Sequence, residues 1–163
     1  MIRKKICLLG AAGVGKTSLA RRYVESIFDE RYLTTIGVRI DKKIVDAGGR
    51  EVTLMIWDLA GEDALAQVRM SHLRGAEGFL LVVDGTRLET LAIARDLEAR
   101  VRGELGALPF LLLANKCDLG EEWKAEDGLT EAERAGWRVL RTSAKTGEGV
   151  EWAFRELVFR MLG

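Results

Sequence analysis

Ile2-Arg3-Lys4-Lys5-Ile6-Cys7-Leu8-Leu9-Gly10-Ala11-Ala12-Gly13-Val14-Gly15-Lys16-Thr17 is the stretch that sets the reading of the chain. Its first half is a short apolar run. Its second half, Gly10 to Thr17, fits G-x-x-x-x-G-K-[ST] at every fixed position. Downstream, Leu19, Tyr23, Val24 and Ile27 recur at helical spacing. Strand, loop and helix in that order are the context in which this motif cradles phosphate. Glycines let the backbone wrap closely, so that N–H groups across Gly13, Val14, Gly15, Lys16, Thr17 and Ser18 turn inward, and the helix adds the positive end of its dipole. Lys16 is expected to reach the β- and γ-phosphates and the Thr17 hydroxyl to ligate Mg²⁺. This motif fixes phosphate binding and leaves the base open.

Working outward, Val38, Ile40, Ile44 and Val45 lead into Ala47-Gly48-Gly49-Arg50, after which Val52, Leu54 and Ile56 alternate with Thr53, Met55 and Trp57. That pattern predicts a hairpin and hence an antiparallel pair. Phe79 to Val83 and Phe110 to Ala114 are continuous apolar runs, as expected of parallel strands covered on both faces. Leu88 to Arg102 reads as a helix with Leu91, Leu97 and Val101 toward the core, and a weaker helix with Gly128 in or beside it falls within Glu122 to Ala135. A short strand, Arg138 to Thr142, precedes a last helix striped by Val150, Ala153, Phe154, Leu157, Val158 and Met161. Strands alternating with helices predict an α/β layered domain with ligands at the carboxyl ends of the strands.

At 163 residues and 48% apolar composition, residues 1–163 are expected to form a single domain. Lys and Arg total 25, as do Asp and Glu, so no basic stripe offers itself to nucleic acid or to an anionic membrane. Cys7 and Cys117 lie far apart in apolar runs, which suits buried thiols in a reducing, cytoplasmic compartment. The start has no signal-peptide core, position 2 is not glycine, and the end, Arg160-Met161-Leu162-Gly163, has no cysteine, so no membrane anchor is expected in this chain.

Two further elements carry chemistry. In Trp57-Asp58-Leu59-Ala60-Gly61 an acid ends the hairpin's second strand, where it can hold Mg²⁺ through water, while the Gly61 N–H can approach a γ-phosphate. A D-x-x-G also fits any strand ending in an Asp turn; its weight comes from following the phosphate loop. In Asn115-Lys116-Cys117-Asp118, after an apolar strand, an edge-on Asp can accept from guanine N1–H and N2–H₂, groups adenine does not present. Lys116 can lay its stem along the base. An ordinary polar turn has the same composition. Thr142-Ser143-Ala144-Lys145 after the last strand supplies further polar groups and N–H donors at the same edge.

These four elements, in this order and spacing, resemble the Ras superfamily of small GTPases over essentially the whole chain. Thr34-Thr35-Ile36-Gly37-Val38, Ile56-Trp57-Asp58 and Arg74-Gly75-Ala76 are most similar to its Rab branch. The resemblance implies a P-loop NTPase G domain: a six-stranded, mostly parallel sheet with one antiparallel edge strand and helices on both faces. It implies a switch that binds GTP or GDP with Mg²⁺ and hydrolyses GTP slowly, working as a monomer with effectors and with exchange or activating proteins. Residue by residue, it implies Mg²⁺ at Thr17, Thr35 and Asp58, and Phe28 packed on the guanine. Gly13, Val14, Gly15, Lys16, Thr17, Ser18, Phe28, Thr35, Gly61, Asn115, Lys116, Asp118, Ser143, Ala144 and Lys145 would contact nucleotide, and Lys16, Gly61 and Glu62 would serve catalysis. Residues 28–38 would be switch I and residues 58–71 switch II.

The chain departs from the family pattern at Glu62, where Gln usually orients the attacking water. A carboxylate accepts a proton but cannot donate to developing charge, so hydrolysis is expected to be slow, and a module that simply holds GTP is the alternative. Leu59 and His72-Leu73 also depart from Rab switch II. His72 is read as a surface or half-buried side chain rather than a base, and Trp123, Trp137 and Trp152 as partly buried.

Overall fold

The computed structural model describes residues 1–24, 33–35, 38–59 and 70–163, with backbone alone at 33–35 and Met70. The elements are β1 (Ile2–Leu9), α1 (Lys16–Val24), β2 (Leu33–Thr35), β3 (Val38–Ala47), β4 (Arg50–Asp58), α2 (Met70–Leu73), β5 (Gly78–Asp84), α3 (Glu89–Leu105), β6 (Phe110–Asn115), α4 (Glu126–Arg134), β7 (Val139–Arg141) and α5 (Val150–Leu162). They build one sheet in the order β2-β3-β4-β1-β5-β6-β7. Strands β4, β1, β5, β6 and β7 run parallel, while β3 is antiparallel to β4. The α/β architecture and each of the six expected strands are present. The additional β2, antiparallel on the outer side of β3, is three residues long and too short to leave a periodic pattern.

Alternation along each buried strand divides the core in two. Ile6, Leu8, Leu80, Val82, Leu111 and Leu113 face α1 and α5; Cys7, Leu9, Leu81, Val83, Leu112 and Ala114 face α3 and α4. On the first face Phe154 is fully buried and stacks on Tyr23 with ring centroids 4.0 Å apart, which joins α5 to α1. Burying such a ring stabilises by about 2–3 kcal/mol. Gly48 and Gly49 turn the hairpin with φ of 65° and 88°, the positive pair that a two-residue turn between right-twisted strands requires.

The weak fourth helix has a packing reason. A Cβ on Gly128 would lie 2.4 Å from Leu91 Cδ2, so glycine there lets α4 press against α3 at a cost in helix propensity. Trp123 and Trp137 are partly buried as expected, but Trp152 is not. It lies off the apolar stripe of α5, is 63% exposed, and donates its Nε1–H to Glu156 at 3.1 Å.

Candidate functional site

Four parallel strands end along one edge of the sheet, and each ends in chemistry. Gly10 follows β1, Asp58 closes β4, Asp84 closes β5 and Asn115 closes β6; Thr142 and Ser143 follow β7 beside them. An apolar strand that stops at a polar residue leaves that side chain at the rim, where parallel α/β sheets take their ligands.

The phosphate loop is closed by its own lysine. Lys16, the first residue of α1 and 4% exposed, donates to the carbonyls of Gly10 at 2.6 Å and Ala11 at 2.9 Å. An ammonium has three donors, so these two carbonyls leave one over for a ligand. Burial pushes Lys16 down to about 8, with the Asp58 charge pulling it back up. One residue further, the Thr17 hydroxyl donates to Asp58 Oδ2 at 2.5 Å, although 41 positions separate the two in sequence. Asp58 is 1% exposed. A hydroxyl and a carboxylate are the hard oxygen donors that Mg²⁺ takes, and this ion completes its shell with waters and phosphate oxygens rather than with an all-protein cage. The pair fits the ion.

Asn115 joins the glycine-rich loop before α1 to the loop after β7. Its Nδ2 donates to the Val14 carbonyl at 2.9 Å, and its Oδ1 accepts from Thr142 Oγ1 at 3.1 Å and from the Ala144 N–H at 3.3 Å. A Cβ on Gly15 would sit 2.3 Å from that Nδ2, and Gly15 has φ of 104°, so the loop needs glycine there twice over. Lys116 adopts φ of 68° and pairs with Asp84 Oδ2 at 2.8 Å. Burial raises the Asp84 carboxyl, but hydrogen bonds from Lys116 and from the Thr86 hydroxyl and N–H outweigh it and hold the group below its ordinary value. Asp118 Oδ1 accepts from Ser143 Oγ at 2.8 Å, which aims the exposed carboxylate across the rim. Two clefts result. One of about 490 Å³ is lined by Gly15, Ser18, Asn115, Lys116, Asp118, Leu119, Ala144 and Lys145, and the other, about 360 Å³, by Gly13, Gly15, Lys16, Thr17, Ser18 and Lys116. Sharing Gly15, Ser18 and Lys116, they run together into a site with a polar floor at one end and a cationic cradle at the other.

Of the residues expected from sequence, Gly13 to Ser18, Asp58, Asn115, Lys116, Asp118 and Ser143 to Lys145 meet at this rim. Phe28, Gly61, Glu62 and the Thr35 side chain lie outside the described residues, as do most of the two expected switches. Asp84, Arg87 and Arg22 were not foreseen. Arg87 donates to the Ala12 carbonyl, and Arg22 donates to the carbonyls of Lys145 and Thr146 at 3.3 and 2.9 Å, tying α1 to the loop after β7. Asp84 had a usable signal: like Asn115, it is the polar stop of an apolar strand at the ligand edge. The two arginines belong to no local pattern.

The sequence is similar to those of known proteins. A family model described as the Ras family matches residues 5–162. The Ras-related protein Rab-13 of Canis lupus familiaris is 34% identical over 156 residues, covering 94% of this chain and 77% of that protein. Rab-18-B of Danio rerio is 35% identical over 161 residues, 97% of this chain and 78% of its own length. Human Rab-3D is 33% identical over 157 residues, 94% of this chain and 72% of its own.

Proposed function

We propose how the residues of this chain, which belongs to the Ras superfamily of small GTPases and to its Rab branch, carry out the family's reaction. The chain binds GTP and GDP and hydrolyses GTP as a molecular switch. In our reading the N–H groups of Gly13 to Ser18 and the Lys16 ammonium hold the phosphates, and Asp118 accepts from guanine N1–H and N2–H₂. Lys116 flanks the base, and Asn115, Ser143, Ala144 and Lys145 keep that pocket in shape. Thr17, Asp58 and Thr35 would hold Mg²⁺, which when bound offsets phosphate charge. Gly61 and Glu62 would face the attacking water. Catalysis is then positioning and charge stabilisation, with little covalent work for the protein. The observation that carries this reading is Asn115, whose single amide bonds both the phosphate loop and the loop after β7, so that base and phosphate clefts form one site.

Family membership brings effectors and exchange or activating proteins as partners. We assign their contacts to residues 28–38 and 58–71, and the working form to a cytoplasmic monomer. Cys7, whose thiol donates to the His72 carbonyl at 3.7 Å, and Cys117 are not in a disulfide, which supports a reducing compartment, and no helix of the described residues is long and apolar enough to cross a membrane. Glu62 favours a second reading, a module that retains GTP nearly indefinitely without a partner. The test is the nucleotide carried by the purified protein and its fate over hours in a single-turnover assay with Mg²⁺. GTP converting to GDP, with ATP unable to compete, supports the switch; persistent GTP supports the holding module; failure to bind guanine nucleotide overturns both.

A further inference from the structure

Arg87 stands in the turn between β5 and α3 and reaches back to the phosphate loop. Its Nη1 and Nη2 both donate to the Ala12 carbonyl, at 3.3 and 3.2 Å. The side chain is held from two other sides: Nε donates to Glu89 at 3.1 Å, and the Asp84 carboxylate lies 4.0 Å from Nη1. A Cβ on Gly13 would approach Nη1 to 3.1 Å, so the guanidinium lies against the one loop position whose missing side chain, at φ of 79°, makes room for it.

The Ala12 carbonyl and the Gly13 N–H belong to a single trans peptide plane, and in such a plane they point in opposite directions. A carbonyl drawn toward Arg87 therefore turns the Gly13 N–H the other way. Gly13 lines the phosphate cleft and Arg87 does not, so that other way is toward the ligand. Gly15 and Ser18 line both clefts, whereas Gly13 lines only the phosphate one, which places its N–H at the phosphates farther from the base. Without an anchor, a glycine-rich loop samples other orientations of this peptide, and each binding event must first freeze it.

We propose that Arg87 is a positioning residue for nucleotide binding, supplied by the chain itself. It pins the Ala12–Gly13 peptide with its N–H facing the outer phosphates and adds a positive charge behind the loop. The inference rests on the guanine-nucleotide reading above. Through Asp84, which also holds Lys116 at 2.8 Å, the brace continues to the base side, so the two ends of the site share one carboxylate.

The experiment uses the full chain with Mg²⁺ and a fluorescent GDP analogue. The Arg87→Ala variant is expected to release GDP about ten-fold faster, as for the loss of one charge-assisted hydrogen bond, and Arg87→Lys to fall between it and wild type. Affinity for GMP, which lacks the outer phosphates, should stay within about two-fold, and the ³¹P resonance of the β-phosphate of bound GDP should shift. A second variant, Glu89→Gln, loosens Arg87 from its exposed side and should raise GDP release in the same direction by about two-fold. GDP release unchanged in Arg87→Ala, or GDP and GMP weakened alike, overturns the proposal while the nucleotide reading stands. Wild type that binds no guanine nucleotide removes both.

Discussion

Glu62 follows Gly61 at a position where a glutamine amide would accept from the attacking water and also donate toward the phosphoryl group. A carboxylate can only accept. Glu62→Gln is therefore expected to raise single-turnover GTP hydrolysis about ten-fold or more, by adding a donor where charge develops. Slower hydrolysis in that variant would make Glu62 a working base instead. The residues that meet at the ligand rim were legible because their order is fixed by local geometry: a glycine-rich loop between a strand and a helix carries its glycines and lysine at set spacings. Arg87 and Arg22 were not, because each acts on a backbone carbonyl made neighbour by folding, 75 and 124 positions away in sequence. No spacing within either arginine's own turn or helix announces such a contact. The sequence also does not say that Asn115 spends its amide on the protein: a polar turn and a loop-joining brace look alike until the Val14 carbonyl is seen beside it.

Elements were legible in proportion to their regularity. The continuous runs of β5 and β6 and the stripe of α5 were readable because burial on a whole face demands unbroken apolar periodicity. Helix α4 was blurred, since Gly128 sits inside it for a reason found only in α3. That reason is testable. On an isolated helix Gly→Ala stabilises by about 1 kcal/mol. Here Gly128→Ala should lower stability by about 1–2 kcal/mol, because the added methyl overpacks against Leu91, itself 7% exposed. Urea unfolding would show it as a lower midpoint at unchanged slope; a higher midpoint would mean that Leu91 moves aside freely.

Over the whole molecule, α5 is fastened from outside as well as through its core face. Glu156 accepts from Arg138 at 2.9 and 3.1 Å, from Trp152 at 3.1 Å and from Arg160 at 3.3 Å. The Arg138 hydrogen bonds hold its carboxyl below the ordinary value of 4.5, against a smaller opposing effect of burial. A carboxylate depressed in the folded state contributes stability above its unfolded value and loses that contribution as pH falls through the folded one. Acid should thus loosen α5 from β7 below about pH 4.5, and Glu156→Gln should flatten that part of the profile at a cost of about 1 kcal/mol near neutrality. Denaturant midpoints measured from pH 3 to 7 would decide it, an unchanged acid limb counting against the tie. Finally, the chain's turns divide by end. Strand β4 runs parallel to β1 and delivers Asp58 to the ligand rim, so the Gly48-Gly49 turn at its beginning lies at the opposite end of the sheet. A dye, an epitope or a short grafted peptide placed in that turn would ride on the molecule a full strand length from that rim, a position from which the switch can be watched without being touched.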